Sequence, residues 1–200
     1  LTERDENDSL ITEMKSKGID VKLYPPIDGI HKGNHAKILR YICASELESE
    51  VCVITDIDTI PLQKNYLTNI TSRREVGKIL CVGAEVYDNE NAGKFPAHHI
   101  TGEGFLFKKL FNPNNLPYDE NLNSLKGSKV FDSKECISSS IDNFSDESLI
   151  RALLSLNSVP TQHIKRDIDI KREWIDRSWW SINENRLNNG EYIEANLLRP

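Results

Sequence analysis

The sequence predicts a single α/β domain with a mostly parallel central sheet flanked by helices. Two continuous apolar runs, at residues 51–54 and 79–84, are typical of strands buried on both faces. Segments with the helical spacing of apolar residues separate such runs, as in βα units. The length of 200 residues fits one domain with a sizeable core, so residues 1–200 are expected to form a single domain.

The composition is that of an ordinary globular protein, with 38% apolar and 28% charged residues. The net charge of −6 argues against general nucleic-acid binding. No apolar run approaches the length of a transmembrane segment, and no signal peptide is recognisable. Because Leu1 is not an initiator methionine, we expect the natural N-terminus to lie upstream.

The cysteines are predicted to be reduced packing residues. None of them forms a C-x-x-C pair, which disfavours a zinc site. Within a helix or strand, a free cysteine behaves as a small hydrophobic residue. Reduced cysteines favour a reducing compartment, so we expect a cytoplasmic location. The four cysteines are Cys43, Cys52, Cys81 and Cys136.

The N-terminal part is predicted to contain a helix, a short strand and a second helix. Residues 8–17 have helical spacing, and Gly18 follows as a stop signal. Residues 19–23 are predicted to form a short strand. The second helix is expected at residues 34–48, with Asn34 as its cap. Its predicted buried face comprises Ala36, Leu39, Tyr41, Ile42 and Leu47.

The middle of the chain is predicted to add strands separated by loops. Residues 67–74 are expected to form a short helix or a loop, and residues 79–84 a buried strand. Residues 101–107 are predicted to be a strand entered through two glycines, and residues 112–145 a long loop.

The C-terminal part is predicted to contain one firm helix and a tail. The helix covers residues 149–156 and is opened by Asp146 and Glu147, which complement the helix dipole. Residues 161–200 are expected to pack on the core as a tail that carries all three tryptophans. His98 and His99 are predicted to be a pair in a surface loop.

Two carboxylates end the strand that begins at Val51. Asp56 and Asp58 are two residues apart and therefore point to the same side of an extended chain. Pro61 limits the strand, so the pair lies at its carboxyl end, where open α/β sheets bind ligands. Two such charges repel each other, and a divalent cation is the simplest compensation. Oxygen ligands suit Mg²⁺ or Mn²⁺.

This region resembles the D-x-D region of nucleotide-sugar glycosyltransferases of the GT-A fold. The resemblance is carried by residues 37–41 (KILRY) on a helix, followed by residues 51–62 (VCVITDIDTIPL). It implies a metal-dependent hexosyltransferase that takes a nucleotide-diphosphate sugar, with UDP favoured, and a glycan or other hydroxyl acceptor. Members of this family begin with a strand that holds the nucleotide base. That first strand is expected to be missing from this sequence, which starts in the following helix.

The resemblance assigns the metal and donor residues. Asp58 would be the principal ligand of a Mn²⁺ or Mg²⁺ ion, and Asp56 would contact the metal or the nucleotide ribose. The cation would bridge the two donor phosphates and stabilise the leaving nucleoside diphosphate. Arg40 and Lys37 would reach the donor from their helix. The structural alternative for both basic residues is a solvated helix face.

The resemblance also assigns a sugar pocket and a base. Gly102 and Glu103 would line the pocket, glycine by allowing close backbone approach and glutamate by binding sugar hydroxyls. Their structural alternative is a turn and a surface acid. Asp146 and Glu147 match the acidic motif from which inverting members take the general base. Helix capping is the alternative there, and in a retaining enzyme the diphosphate oxygen would take over the role of the base.

The third protein ligand of the metal is left open by the sequence. Many members of the family supply a late histidine, whereas this chain has His163 and, near its end, Asn196, whose carbonyl oxygen could coordinate weakly.

Three other functions compete with the transferase. A haloacid dehalogenase-type phosphohydrolase also carries D-x-D after a buried strand, but Ile60 stands where that family has a small hydroxyl residue or valine. A nucleotidyltransferase normally has a glycine-rich phosphate loop, and none is visible. A non-catalytic sugar-binding domain on a GT-A fold is the third alternative.

Overall fold

The computed structural model describes residues 5–28, 30, 32–56, 59–83, 99–126, 146–165, 173–175, 183–189 and 192–196. The helices in these stretches are α1 (Ser9–Ser16), α2 (Lys32–Ser45), α3 (Tyr66–Thr71), α4 (Gly104–Phe111), α5 (Tyr118–Lys126), α6 (Asp146–Leu156) and α7 (Glu184–Asn188). The strands are β1 (Val51–Thr55), β2 (Thr59–Pro61), β3 (Ile79–Val82), β4 (His99–Glu103), β5 (Thr161–Ile164), β6 (Glu173–Ile175) and β7 (Tyr192–Asn196).

The main sheet has four strands in the order β1-β4-β3-β5. β4 runs antiparallel to both β1 and β3, whereas β3 and β5 are parallel. The predicted α/β class is therefore confirmed, but the sheet is mixed rather than mostly parallel. Three strands point the same way, and the reversed strand β4 lies between two of them. Local sequence contains no information about strand direction, because an apolar run has the same pattern in either sense.

The core lies where α2 and α4 pack against the sheet and α6. Tyr41 of α2 stacks on Phe111 of α4, with ring centroids 4.8 Å apart and planes inclined by 2°. Stacking of this kind contributes about 0.5–1.5 kcal/mol beyond the area buried. The strand β3 is buried along its whole length, whereas β1 alternates between buried and accessible residues. Only the first of these two strands therefore matches the prediction of burial on both faces.

The predicted strand at residues 101–107 is wrong in its second half. The strand β4 ends at Glu103, and the helix α4 begins at Gly104. A short apolar run does not distinguish strand from helix by itself. The deciding feature is the continuation of the run at helical spacing. The buried side chains of α4 are Leu106, Phe107, Leu110 and Phe111.

The predicted strand at residues 19–23 is also wrong. This segment has no regular structure. Side-chain contacts to Glu46, the residue that follows α2, take the place of strand hydrogen bonds. Tyr24 is buried and its hydroxyl donates to the Glu46 carboxylate at 3.2 Å. Lys22 pairs with the same carboxylate. The helix before this segment is confirmed, and Gly18 ends it with a φ of 76°, which favours glycine.

The second predicted helix is confirmed with shifted ends. The helix α2 begins at Lys32, so Asn34 lies inside it and is not its cap. Leu47 lies beyond its end and is exposed, and Ala36 is exposed on the helix surface. The other three residues of the predicted apolar face are buried, since core packing selected the side that faces β1 and α4. These are Leu39, Tyr41 and Ile42.

The predicted loop and tail acquire regular structure in part. The loop at residues 112–145 contains α5, and residues 127–145 lie outside the described residues. In the tail, β5 joins the main sheet beside β3. The strands β2, β7 and β6 form a second, three-stranded sheet. None of the helices in the described stretches has the length and apolar character that crossing a membrane requires.

Candidate functional site

One edge of the main sheet collects the carboxyl ends of β1, β3 and β5. At this edge Thr55 is opposite His99, the first residue of β4. Gly83 follows β3 with a φ of 82°, and its amide donates to the Ile164 carbonyl at 2.8 Å. Asp56 follows β1 directly. The structure therefore puts Asp56 at the edge where the carboxyl ends of aligned strands converge, as the sequence predicted.

Arg40 of α2 bonds to Asp56. Its Nη1 atom donates to Oδ1 of Asp56 at 2.6 Å and approaches the Thr55 carbonyl oxygen at 3.5 Å. The Asp56 side chain remains 30% exposed. Among the described residues, the hydrogen bond that Asp56 accepts goes to its Oδ1 atom. This geometry fits a role of Asp56 as a partial metal ligand.

Asp146 is the second carboxylate that Arg40 holds. The Nη2 atom of Arg40 donates to Oδ2 of Asp146, the first residue of α6. The Asp146 side chain is mostly buried, and the helix dipole favours a negative charge at this end of α6. The guanidinium thus joins the end of β1 to the beginning of a helix 90 positions later in the chain.

The charge of Arg40 is secured by its surroundings. Burial alone lowers the pKa of the guanidinium, but Tyr41, Asp146 and Asp56 raise it above its ordinary value. The guanidinium carbon also lies 5.1 Å from the centroid of the Tyr41 ring, within cation–π range. Arg40 therefore remains a cation at any physiological pH.

Lys37 lies one turn before Arg40 on the same face of α2. Its ammonium group is 4.0 Å from Oδ1 of Asp146, which is an ion pair without a hydrogen bond. The Lys37 side chain is 43% exposed. Of the two cations on this helix face, Lys37 is the one with a large solvent-accessible part.

The structure brings four predicted site residues into one cluster: Lys37, Arg40, Asp56 and Asp146. Glu147 follows Asp146 in the first turn of α6 and is half-buried. Asp58, the predicted principal metal ligand, lies outside the described residues, so its role stays a prediction. The two cations and two carboxylates of the cluster balance each other.

Gly102 and Glu103 are not brought to this cluster. In the antiparallel register Glu103 is opposite Val51, at the other end of β1 from Asp56. From Val51 to Asp56 the chain advances five residues, or about 16 Å at about 3.3 Å per residue. The structure therefore separates these two residues from Asp56, and their assignment to a sugar pocket stays a prediction. The strand β4 enters at His99, so its glycine-containing end points away from the site.

Packing and pairing explain both residues where they are. A Cβ atom on Gly102 would come within 2.6 Å of the Ile79 Cδ1 atom. Glu103 is not a surface acid, because it forms a mostly buried ion pair with Arg74. The Gly77 amide also donates to Glu103 at 3.4 Å.

Backbone register bears on the open third metal ligand. Asn196 of β7 is opposite Thr59 of β2, the residue that follows Asp58. His163 is opposite Cys81 within the main sheet, one position before the end of the β3–β5 pairing. The second sheet thus puts the backbone of Asn196 next to the D-x-D segment. Among the described residues, no group of three or more histidine, cysteine or acidic residues forms a ready metal site.

Sequence reasoning missed two features of this edge. It did not foresee that one arginine bridges Asp56 and Asp146, because the contact spans 106 positions and has no local signal. It also interpreted His99 as part of a surface loop, whereas His99 is buried in β4 with its ring 5.3 Å from that of Tyr66. The signal that could have revealed its burial is the apolar residue that follows it, Ile100.

Comparisons with known proteins provide no relative. No protein-family model matches this chain, and neither a curated protein nor a solved structure matches it. The functional argument therefore depends on the residues and geometry described above.

Proposed function

We propose that the protein is a metal-dependent glycosyltransferase of GT-A type. It would transfer a hexose from a nucleotide-diphosphate sugar, with UDP favoured, to a hydroxyl acceptor such as a glycan. The observation that carries this proposal is the convergence of Asp56, Asp146 and two basic residues of α2 at one edge of the sheet. These groups come from three separate elements, and the α/β class predicts ligand binding at such an edge.

The binding roles follow from exposure and charge. Asp58 and the partly exposed carboxylate of Asp56 would hold Mn²⁺ or Mg²⁺, both of which prefer oxygen ligands. When bound, such a cation offsets the negative charge that develops on the leaving diphosphate. Lys37, with its accessible ammonium group, would contact the donor phosphates. Asn196 would supply a carbonyl oxygen near the D-x-D segment.

The reaction exchanges one bond at the anomeric carbon of the donor sugar. The acceptor oxygen forms a bond to this carbon while the bond to the diphosphate oxygen breaks, and the leaving group keeps the electron pair. In an inverting reaction, the proton of the acceptor hydroxyl passes to a carboxylate. We assign this role to Glu147 in the first turn of α6, and Oδ2 of Asp146 accepts a hydrogen bond from Arg40. Asp146 would hold α6 in place.

Isothermal calorimetry of UDP binding tests the proposal, with and without Mn²⁺, on the wild type and on Asp58→Ala. We expect Mn²⁺-dependent binding that falls by at least about tenfold in the variant, since a lost metal ligand costs about that much or more. Asp20→Ala removes an exposed aspartate that has no place in the cluster and is the matched control. It should bind UDP as the wild type does.

The other outcomes separate the competing functions. Mn²⁺ binding without any nucleotide binding, together with release of phosphate from phosphomonoesters, would indicate a phosphohydrolase. Metal-dependent nucleotide-sugar binding without turnover over a range of acceptors would indicate a sugar-binding domain. If neither metal nor any nucleotide diphosphate binds, the proposed function is wrong.

A further inference from the structure

We infer that Arg40 is a positioning residue that ties the end of β1 to the beginning of α6 and does not contact the donor. The inference deepens the proposed function and rests on it. It reverses the expectation from the sequence, in which Arg40 and Lys37 both bind the donor. The reason is that protein groups already accept hydrogen bonds from both terminal nitrogens of the guanidinium.

Protein acceptors occupy both terminal nitrogens of Arg40. Nη1 donates to the Asp56 carboxylate and to the Thr55 carbonyl, and Nη2 donates to the Asp146 carboxylate. The Nε atom is buried and has no hydrogen-bond partner in the described part of the chain, so it faces no open space that a phosphate could enter. Only 18% of the Arg40 side chain is exposed.

A donor phosphate at this guanidinium would compete with carboxylates that already accept hydrogen bonds from both terminal nitrogens. Asp146 is 10% exposed, so displacement would leave a mostly buried charge without its partner, which is strongly unfavourable. Lys37 has no such constraint, because its ammonium group is accessible and makes no hydrogen bond to Asp146. The two cations of α2 therefore have different roles. Lys37 contacts the donor, and Arg40 orients the carboxylates.

This division has a consequence for catalysis. In the proposed reaction Asp56 binds the metal, and the candidate base Glu147 lies on α6. The bridge through Arg40 therefore sets the distance between the metal-binding residue Asp56 and the base on α6. A displacement of about 1 Å between reacting groups can cost about a hundredfold in rate while leaving ligand binding nearly unchanged.

Four variants test the inference by separating kcat from nucleotide affinity. Arg40→Met should lower kcat by about a hundredfold and change the Kd of Mn²⁺-dependent UDP binding by less than about threefold. Arg40→Lys keeps the charge but lacks the fork that joins two carboxylates, so it should recover about a tenth of wild-type kcat. Lys37→Met should raise the Kd for UDP by about tenfold. Arg151→Met, on the exposed surface of α6, is the matched control.

A double variant tests whether Arg40 acts through Asp146. If the two residues work as a unit, Arg40→Met combined with Asp146→Asn should lose no more kcat than the worse of the two single variants. Multiplicative losses would overturn the bridge. A Kd for UDP that rises as much in Arg40→Met as in Lys37→Met would show that Arg40 contacts the donor, and an unchanged kcat would also overturn the inference.

Hydrogen exchange distinguishes failure of this inference from failure of the proposed function. If the wild type neither binds a nucleotide nor turns over, exchange of the amides at residues 148–150 still reports on the bridge. Arg40→Met should speed their exchange by about tenfold, Arg40→Lys by less, and Arg151→Met should leave it unchanged. Equal exchange in Arg40→Met and the wild type would overturn the bridge. If Arg40→Met does not fold, the same comparison is made with Arg40→Lys.

Discussion

The two ends of the four-stranded sheet each hold a mostly buried arginine paired with carboxylates. At the carboxyl end of β1, Arg40 bonds to Asp56 and Asp146. At the opposite end, Arg74 bonds to Glu103. The two arginine side chains are 18% and 12% exposed, so burial and residue type alone do not distinguish these ends.

The difference lies in what surrounds each pair. Glu103 is 13% exposed, and the Gly77 amide supports it from the turn before β3. Asp56 is 30% exposed, and half-exposed Lys37 lies on the same helix face as Arg40. The Arg74 pair is closed, since both of its side chains are mostly buried, whereas the Arg40 cluster is partly exposed and spans 106 positions of the chain. A buried ion pair is therefore a candidate for function only where part of its charge can meet a ligand.

The largest expected effect separates the two ends by stability. Arg74→Met should lower the free energy of unfolding by about 3–5 kcal/mol, because it leaves a mostly buried Glu103 carboxylate without its partner. Urea denaturation measures this loss. UDP affinity per folded molecule should stay at the wild-type value, since this end of the sheet lies away from the proposed site.

Removing both partners is the control for this prediction. Arg74→Met combined with Glu103→Leu should regain most of the lost stability, because a paired apolar replacement leaves no buried charge. A double variant as unstable as Arg74→Met would contradict the closed-pair interpretation of this end.

The next prediction concerns two glycines at the Arg74 end of the sheet, Gly102 and Gly104. It tests whether close packing is the reason that these positions are glycine. A Cβ on Gly104 would lie 1.9 Å from the Leu47 carbonyl oxygen, whereas one on Gly102 would meet only the tip of Ile79, at 2.6 Å. Gly104→Ala should therefore destabilise the protein by about 2–3 kcal/mol, although alanine favours helices, and Gly102→Ala by about 1 kcal/mol. Thermal unfolding of both variants gives the comparison.

The reverse order would contradict this assignment. If Gly102→Ala instead weakened donor binding while its stability matched the wild type, the glycine would serve ligand approach, as the sequence first suggested.

The smallest expected effect is the titration of His35, which lies at neither end of the sheet. Its contribution must be known before the pH profile of the site is interpreted. His35 is buried on the far face of α2, where its Nε2 atom is hydrogen-bonded to the Tyr118 hydroxyl. Burial lowers the pKa of His35 below its ordinary 6.5. The unfolded chain then binds more protons below about pH 6.5, so stability is complete above that pH and falls as the pH decreases.

Urea denaturation at about pH 7.5, 6.5 and 5.5 measures this dependence, with a slope of at most about 1.4 kcal/mol per pH unit for one proton. His35→Gln should give a shallower slope over the same range. An equal slope in the variant would assign the titration to another group.

Much of the local structure could be predicted from the sequence. The helix ended by Gly18, the strand before Asp56 and the helix opened by Asp146 are confirmed. The two helices have a periodic apolar pattern and the strand a continuous apolar run, and each has a stop or start signal nearby. Prediction failed at residues 19–23 and 101–107, where short apolar runs are compatible with more than one structure.

Part of the candidate site could be predicted as well. The strand and its apolar character were enough to place Asp56 at a ligand-binding edge, and the acidic opening of α6 identified Asp146. The separation of Gly102 and Glu103 from these residues could not be predicted, because it depends on the direction of β4. That direction depends on which strand β4 pairs with, and pairing is a property of the assembled sheet.

By itself, the sequence determined the α/β class and the residues available for chemistry, since periodicity, caps and charged pairs are local properties of the chain. Only the tertiary structure decided which of these residues meet. In the folded protein Arg40 lies between two carboxylates that are 90 positions apart in the chain, and Glu103 lies at the opposite edge of the sheet. The physical reason is that such contacts follow from the packing of α2, α6 and a reversed strand, which no local segment specifies.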